Sequence, residues 1–146
     1  METNPNNPSM PDYRRIHPLT RDAQKEITHW LYQMGELTEW QRDFSSVIPI
    51  TNDSMAPQLR TGGLVVTCPL GPQDYQTLTG KVVAILLETQ GPDADSDQYA
   101  IGRLKVITHD YIYLGFDNAE FGNQSISRKQ AISVSEVLQV LGTPVR

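Results

Sequence analysis

The chain has 146 residues, of which 38% are hydrophobic and 20% charged, with a formal net charge of -5 and a mean hydropathy of -0.40. That length suits one domain with a small appendage, and no run approaches the roughly 18 apolar residues a membrane-spanning helix needs, so no membrane partner is expected. Neutralising nucleic-acid phosphates takes clustered Lys and Arg, which an acidic chain with scattered basic residues does not offer. Direct nucleic-acid binding is therefore not expected either.

Met1 to Pro11 is rich in Asn and Pro and lacks the basic and apolar stretches of a secretory signal. Residues 1–19 as a whole read as a disordered leader. Only the pair Arg14-Arg15 breaks the scatter of basic residues. The single cysteine, Cys68, excludes an internal disulfide and suits a reducing cytoplasm. With no His or second Cys spaced near it, it reads as an ordinary strand residue.

Residues 20–45 form the helical segment. Ala23, Ile27, Trp30, Leu31 and Met34 recur at helical spacing as one apolar stripe, with Thr20 as the cap and Gly35 as a left-handed stop. Thr38 with Gln41 resembles a capping box, and Trp40 and Phe44 share a face one turn apart. Two short helices in series suggest a helix-turn-helix, but a reading helix needs exposed side chains that can address base edges. Glu39, Gln41, Arg42 and Asp43 over barely two turns suit that poorly. An amphipathic lid or linker, or a docking helix, fits better.

Residues 46–146 switch to short β-runs punctuated by turns. Val47 to Ile50 reads as an edge segment because Pro49 interrupts a ladder. Leu64 to Cys68 opens as a strand after Gly62-Gly63, and Lys81 to Glu88 is apolar enough for a buried one. Gln90 to Asp97 is a polar loop. Gln98 to Thr108 and Tyr111 to Phe116 read as a hairpin with its turn at His109-Asp110. Val134 to Val145 closes the chain as a last strand, bent at Gly142. The expected fold is mainly β: a partly rolled antiparallel sheet with a short N-terminal helical segment.

Asp53-Ser54-Met55-Ala56-Pro57 is the segment that suggests chemistry. A serine hydroxyl is a weak nucleophile until a base takes its proton. On a turn it is exposed, Asp53, Met55, Ala56 and Pro57 can line a substrate or oxyanion region, and nearby backbone N–H groups can stabilise an oxyanion. After it come Thr61-Gly62-Gly63-Leu64-Val65-Val66, Gly80-Lys81-Val82-Val83-Ala84, Ile101-Gly102-Arg103-Leu104 and Leu114-Gly115-Phe116-Asp117-Asn118. This ordered series resembles the LexA-like self-cleaving repressors and the UmuD-type mutagenesis proteins, over residues 46–146.

The resemblance implies the sheet of the LexA C-terminal domain and a Ser-Lys dyad, with Ser54 at the nucleophile position. The base would be a lysine opening a Lys-Arg-Leu type strand, kept neutral by burial. Here Gly102 holds that position, and glycine takes no proton. Lys105 is three residues beyond Gly102 and on strand parity faces the other way unless a bulge intervenes. Lys81 opens a strand where the family has no base. His109 sits at a hairpin tip, and nothing positions His17 or His29. Self-cleaving members cut a small dipeptide before the β-domain, and neither Met34-Gly35 nor Ser45-Ser46 matches it.

Asp93, Asp95 and Asp97 alternate like calcium ligands but lack the glycine and distal glutamate of an EF-hand, so a solvated loop is expected. No Cys/His cluster suggests zinc, and Gly62-Gly63 lacks the Lys-Ser/Thr of a phosphate loop. No metal and no cofactor is implied. The expected function is a non-catalytic LexA-like domain, cytoplasmic, in a bacterial or phage regulatory system. It would pair as a homodimer through the β-domain, with Val134 to Val145 supplying edge or face contacts, and could bind a regulatory protein partner. An active serine peptidase with an unidentified base is the alternative, and a DNA-binding regulator a weaker one.

Overall fold

The structure is a computed structural model that describes residues 20–88 and 98–142. The leader, His17, the loop Gln90 to Asp97 and the last four residues lie outside the described residues. The helical segment contains α1 (Arg21–Gln33) and α2 (Glu39–Phe44). The expected cap is present: Thr20 Oγ1 accepts a hydrogen bond from the Ala23 amide at 3.1 Å. Gly35 ends the helix region at φ 81°, a conformation that favours glycine. Ala23, Ile27 and Leu31 are buried, whereas Met34 at the end of the stripe is 40% exposed. Replacing Thr20 with Ala removes the cap, and about 1 kcal/mol of stability should be lost, read as a lower midpoint in urea unfolding.

At α2 both halves of the capping box form, with the Gln41 amide donating to Thr38 Oγ1 and the Thr38 amide to Gln41 Oε1. No residue of α2 is buried. Trp40 and Phe44 stack on its outside with ring centroids 4.8 Å apart. The Arg42 guanidinium lies 4.4 Å from the Tyr32 ring centre and ties α2 to α1.

The strands are β1 (Ser46–Pro49), β2 (Leu64–Pro69), β3 (Val82–Leu87), β4 (Gln98–Ile107), β5 (Tyr111–Gly115), β6 (Asn123–Ser127) and β7 (Ala131–Leu141). They form one seven-stranded antiparallel sheet in the order β1-β2-β7-β3-β4-β5-β6. Among the described residues, no helix is long and apolar enough to cross a membrane. The last strand corrects one expectation. β7 is paired on both sides, with β2 and with β3, so it has no free edge with which to join a second copy. It also begins before Val134, because Ala131 and Ser133 continue the ladder opposite Leu87 and Leu86.

Three elements were not anticipated, the shortest a 3-10 turn at Ala119–Phe121. β6 carries the polar run NQSIS, in which Ile126 alone is buried, too little for a hydrophobic pattern to show. A 3-10 helix, Pro72–Leu78, drops the fully buried Leu78 onto the core.

The near-continuous apolar run of β3 has a plain cause, since both faces of the sheet are covered there. Val83 and Ile85 join Leu104, Ile112, Leu114, Ile126 and Val134 on one face. Ala84 points the other way, to Ile48, Ile50, Met55, Leu59 and Val65. α1 covers a further cluster, in which Ile27 and Leu31 meet Val47, Leu64, Val66 and Leu141. The helix therefore shares a core with the sheet.

Candidate functional site

Ser54 lies in the connection between β1 and β2, and that connection is pinned at many points. Ile50 and residues 62–63 close its neck, with the Ile50 amide donating to the Gly63 carbonyl at 2.9 Å and the Gly62 amide to the Ile50 carbonyl at 3.1 Å. Asp53 Oδ1 accepts from both the amide and the hydroxyl of Thr61, at 3.1 and 3.0 Å. Those two bonds, the amide first, hold the Asp53 carboxyl below the usual carboxylate range. The role the structure shows for Asp53 is thus closing the loop.

The backbone donors around Ser54 are largely taken. The Ser54 amide donates to Asn52 Oδ1 at 3.0 Å and the Ala56 amide to the Asp53 carbonyl at 3.0 Å. Met55 is buried among Ile48, Ile50, Leu59, Val65 and Ala84, and its Sδ accepts from the Asp117 amide at 3.4 Å. Pro57 is exposed and follows a cis peptide bond. Ser54 is 6% exposed as a residue, and its hydroxyl, which is not closed off from the cleft, takes part in no hydrogen bond among the described residues.

The segment after β5 holds this loop from the other side. The Asn118 amide donates to the Ser54 carbonyl at 2.9 Å, and Asn118 Nδ2 donates to the Asp53 carbonyl at 3.0 Å. Asn118 is kept in place by its neighbour Asp117, which Arg103 grips through two parallel bonds of 3.1 and 2.9 Å. Arg103 also donates to the Gly80 carbonyl at 2.9 Å. The chain Gly80–Arg103–Asp117–Asn118–Ser54 fixes the serine turn against the sheet.

The hydrogen bond from Arg103 holds the Asp117 carboxyl below its ordinary range. A depressed carboxyl contributes stability above the unfolded value of about 3.9 and loses it as pH falls through the folded value. Asp117→Asn should therefore destabilise by about 1 kcal/mol at pH 7, discounted because the pair is partly exposed. The gap to the parent chain should close toward pH 3, as urea midpoints at the two pH values would show.

Ser54 lines a cleft of ≈ 960 Å³. It is lined by β1 and the following residues to Asn52, by the apolar residues Met55, Leu59, Leu87, Tyr99 and Ile101, and by Arg21, Gln24, Lys25 and Thr28 of α1 with Arg42, Asp43 and Phe44 at the end of α2.

Gly102 is not among the lining residues, although Ile101 and Tyr99 are. It pairs with Val83 and belongs to the opposite parity. A Cβ at this position would lie 3.0 Å from Phe116 Cε1, 3.2 Å from Leu114 Cβ and 3.3 Å from the Gly115 carbonyl. Phe116 packs against both sheet faces, including the cluster that contains Met55. The ring of Phe116 thus fills the space beside Gly102 that a longer side chain would need.

Among the described residues, none of the other considered bases reaches this site. A bulge does occur in β4 between Leu104 and Val106, but Lys105 remains exposed and its stem lies over Gly115. Lys81 pairs with Glu136 at 3.4 Å. His109 is exposed in the β4–β5 turn, and His29 is exposed on α1 beside Tyr32. Lys25 does line the cleft, a placement the sequence did not suggest, but its side chain is exposed, without the burial a lysine base requires. Among the described residues, no group of three or more His, Cys, Asp or Glu is arranged to hold a metal.

Sequence reasoning missed Phe116, Asp117 and Asn118 as partners of the serine turn. An Asp-Asn pair one residue beyond a strand was the available signal, because both side chains readily bond backbone groups of a neighbouring loop. Compared with known proteins, the chain matches no family model and no curated protein.

Proposed function

We propose that the chain is a non-catalytic domain of the LexA-like peptidase type, serving as an interaction and dimerisation module in a cytoplasmic bacterial or phage regulatory system. The observation that carries this reading is Phe116. On the family resemblance a buried lysine would rise from position 102 toward Ser54, and here an aromatic ring is packed at that position with its nearest approach to a Cβ only 3.0 Å. The serine turn is kept and braced from two sides, as suits a binding surface. Pairing of two copies would use the free edge of β6 or a sheet face, since β7 is internal.

One arrangement favours an active peptidase instead: the unbonded Ser54 hydroxyl shares its cleft with Lys25. The two readings separate on the intact mass of the purified chain, followed at neutral and alkaline pH. The non-catalytic reading expects an unchanged mass over days. Fragments that vanish in both Ser54→Ala and Lys25→Ala would establish the peptidase.

A further inference from the structure

We infer that the cleft beside Ser54 binds an extended acidic peptide segment of a partner protein, held through side chains and not by strand addition. This deepens the interaction-module reading and rests on it. The first ground is charge. The chain is acidic overall at -5, yet Arg21, Lys25 and Arg42 all line this one cleft. The carboxylate among the lining residues, Asp43, is already bonded to Arg42 Nε at 2.9 Å. Arg42 is further engaged by Glu39 and by the Tyr32 ring. Arg21 and Lys25, one turn apart on α1, have no ionic partner among the described residues. They stand at helical i,i+4 spacing on the cleft, and no salt bridge engages either of them among the described residues.

The second ground is the apolar part of the lining: Tyr99 and Ile101, which pack with Met55 and Leu59, line the same cleft as the basic residues. A segment that alternates acidic and apolar side chains would satisfy both parts of the lining at once, because alternate residues of an extended chain point to opposite sides. A phosphate backbone would meet the basic part but leave the apolar one in water.

The third ground concerns how such a segment is held. β1 is an edge strand, so an added strand would ordinarily pair with it. Ile50 turns its polar groups toward residues 62–63, which by alternation leaves Val47 and Pro49 facing outward. The Val47 amide already donates to Gln24 Oε1 at 3.0 Å, and Pro49 has no N–H to give. At these two positions the edge offers carbonyl acceptors but no free amide, half of what an added strand needs, so recognition rests mainly on the side chains lining the cleft.

The test uses the full chain and three fluorescein-labelled octapeptides of alternating sequence, Glu/Leu, Gln/Leu and Lys/Leu, with a labelled oligo-dT of matched length, read by fluorescence anisotropy at low salt. The Glu/Leu peptide should bind about tenfold more tightly than Gln/Leu, with Lys/Leu weakest. Arg21→Gln with Lys25→Gln should remove that preference while leaving circular dichroism unchanged, both residues being exposed. Equal binding of Glu/Leu and Gln/Leu, no binding of Glu/Leu at millimolar peptide, or a preference that survives the double variant would overturn the inference. So would tighter binding of oligo-dT, which would point to nucleic acid. Cleavage of the bound peptide is scored separately by mass. Its appearance would defeat the non-catalytic reading while leaving the acidic preference to stand or fall on the affinities.

Discussion

Gly102→Lys alone is expected to lower stability by about 1–3 kcal/mol and to produce no cleavage of a supplied linker peptide. The cost is that of overpacking a filled site. A Cβ at residue 102 would stand 3.0 Å from Phe116 Cε1 and 3.2 Å from Leu114 Cβ, and Leu114 is fully buried and cannot yield. Phe116 is the softer neighbour, since it is only partly buried. The informative variant is therefore Gly102→Lys combined with Phe116→Ala. Removing the ring alone leaves a hole between the two core clusters and should cost about 2–4 kcal/mol, somewhat below a fully buried aromatic. In the pair, the lysine stem occupies part of that hole. The double variant should then be more stable than the sum of the two single losses, by at least about 1 kcal/mol in a urea-unfolding cycle. Strict additivity would mean that residues 102 and 116 do not share the space, and the account of Phe116 as the group filling the space beside Gly102 would fail. Slow peptide cleavage that appears in the double variant and disappears on adding Ser54→Ala would show that a lysine at position 102 can act together with Ser54.

The helices and most strands were legible because their signals are local. Thr20, Gly35 and the Thr38–Gln41 box act within a turn of chain, and all formed as the residue types suggested. The β4–β5 hairpin was equally legible, as two patterned runs about His109-Asp110. What failed to show was the sheet order. Nothing in the residues of β7 says that it inserts between β2 and β3, because an apolar strand reads the same at an edge or in the middle until its neighbours are known. The site divided in the same way. Ser54 on its turn was visible in five consecutive residues. Its bracing by Asn118 depends on a contact between positions 64 residues apart, and the basic lining of the cleft depends on where α1 docks. Strand parity was reliable up to the bulge at Lys105, which no pattern announced, and even there the side chain stayed with Gly115 on the outside.

Ile27→Ala should be among the most damaging single changes, costing about 2–5 kcal/mol against a typical total of about 5–15. Ile27 has no exposed surface and lies between α1 and the strands, against Val47, Leu64 and Val66. Its loss removes three carbons from the centre of the contact that seats the helix. The consequence reaches the edge of the sheet, because the same helix carries Gln24, whose side chain occupies the Val47 amide. A loosened α1 uncovers that donor and opens β1 to pairing with another chain. Hydrogen exchange at Val47 should accelerate more than exchange in β3, which lies inside the sheet. Self-association should rise with concentration in sedimentation velocity. Gln24→Ala serves as the control: it frees the same amide while leaving the apolar contact intact, at a cost of about 1 kcal/mol. If Ile27→Ala instead cost less than about 1 kcal/mol and left Val47 protected, α1 would be a detachable lid, and the basic lining it carries would belong to one of its positions only. A large loss makes the helix part of the domain's core, and the cleft between Arg21, Lys25 and Ser54 then becomes a permanent feature of the folded chain.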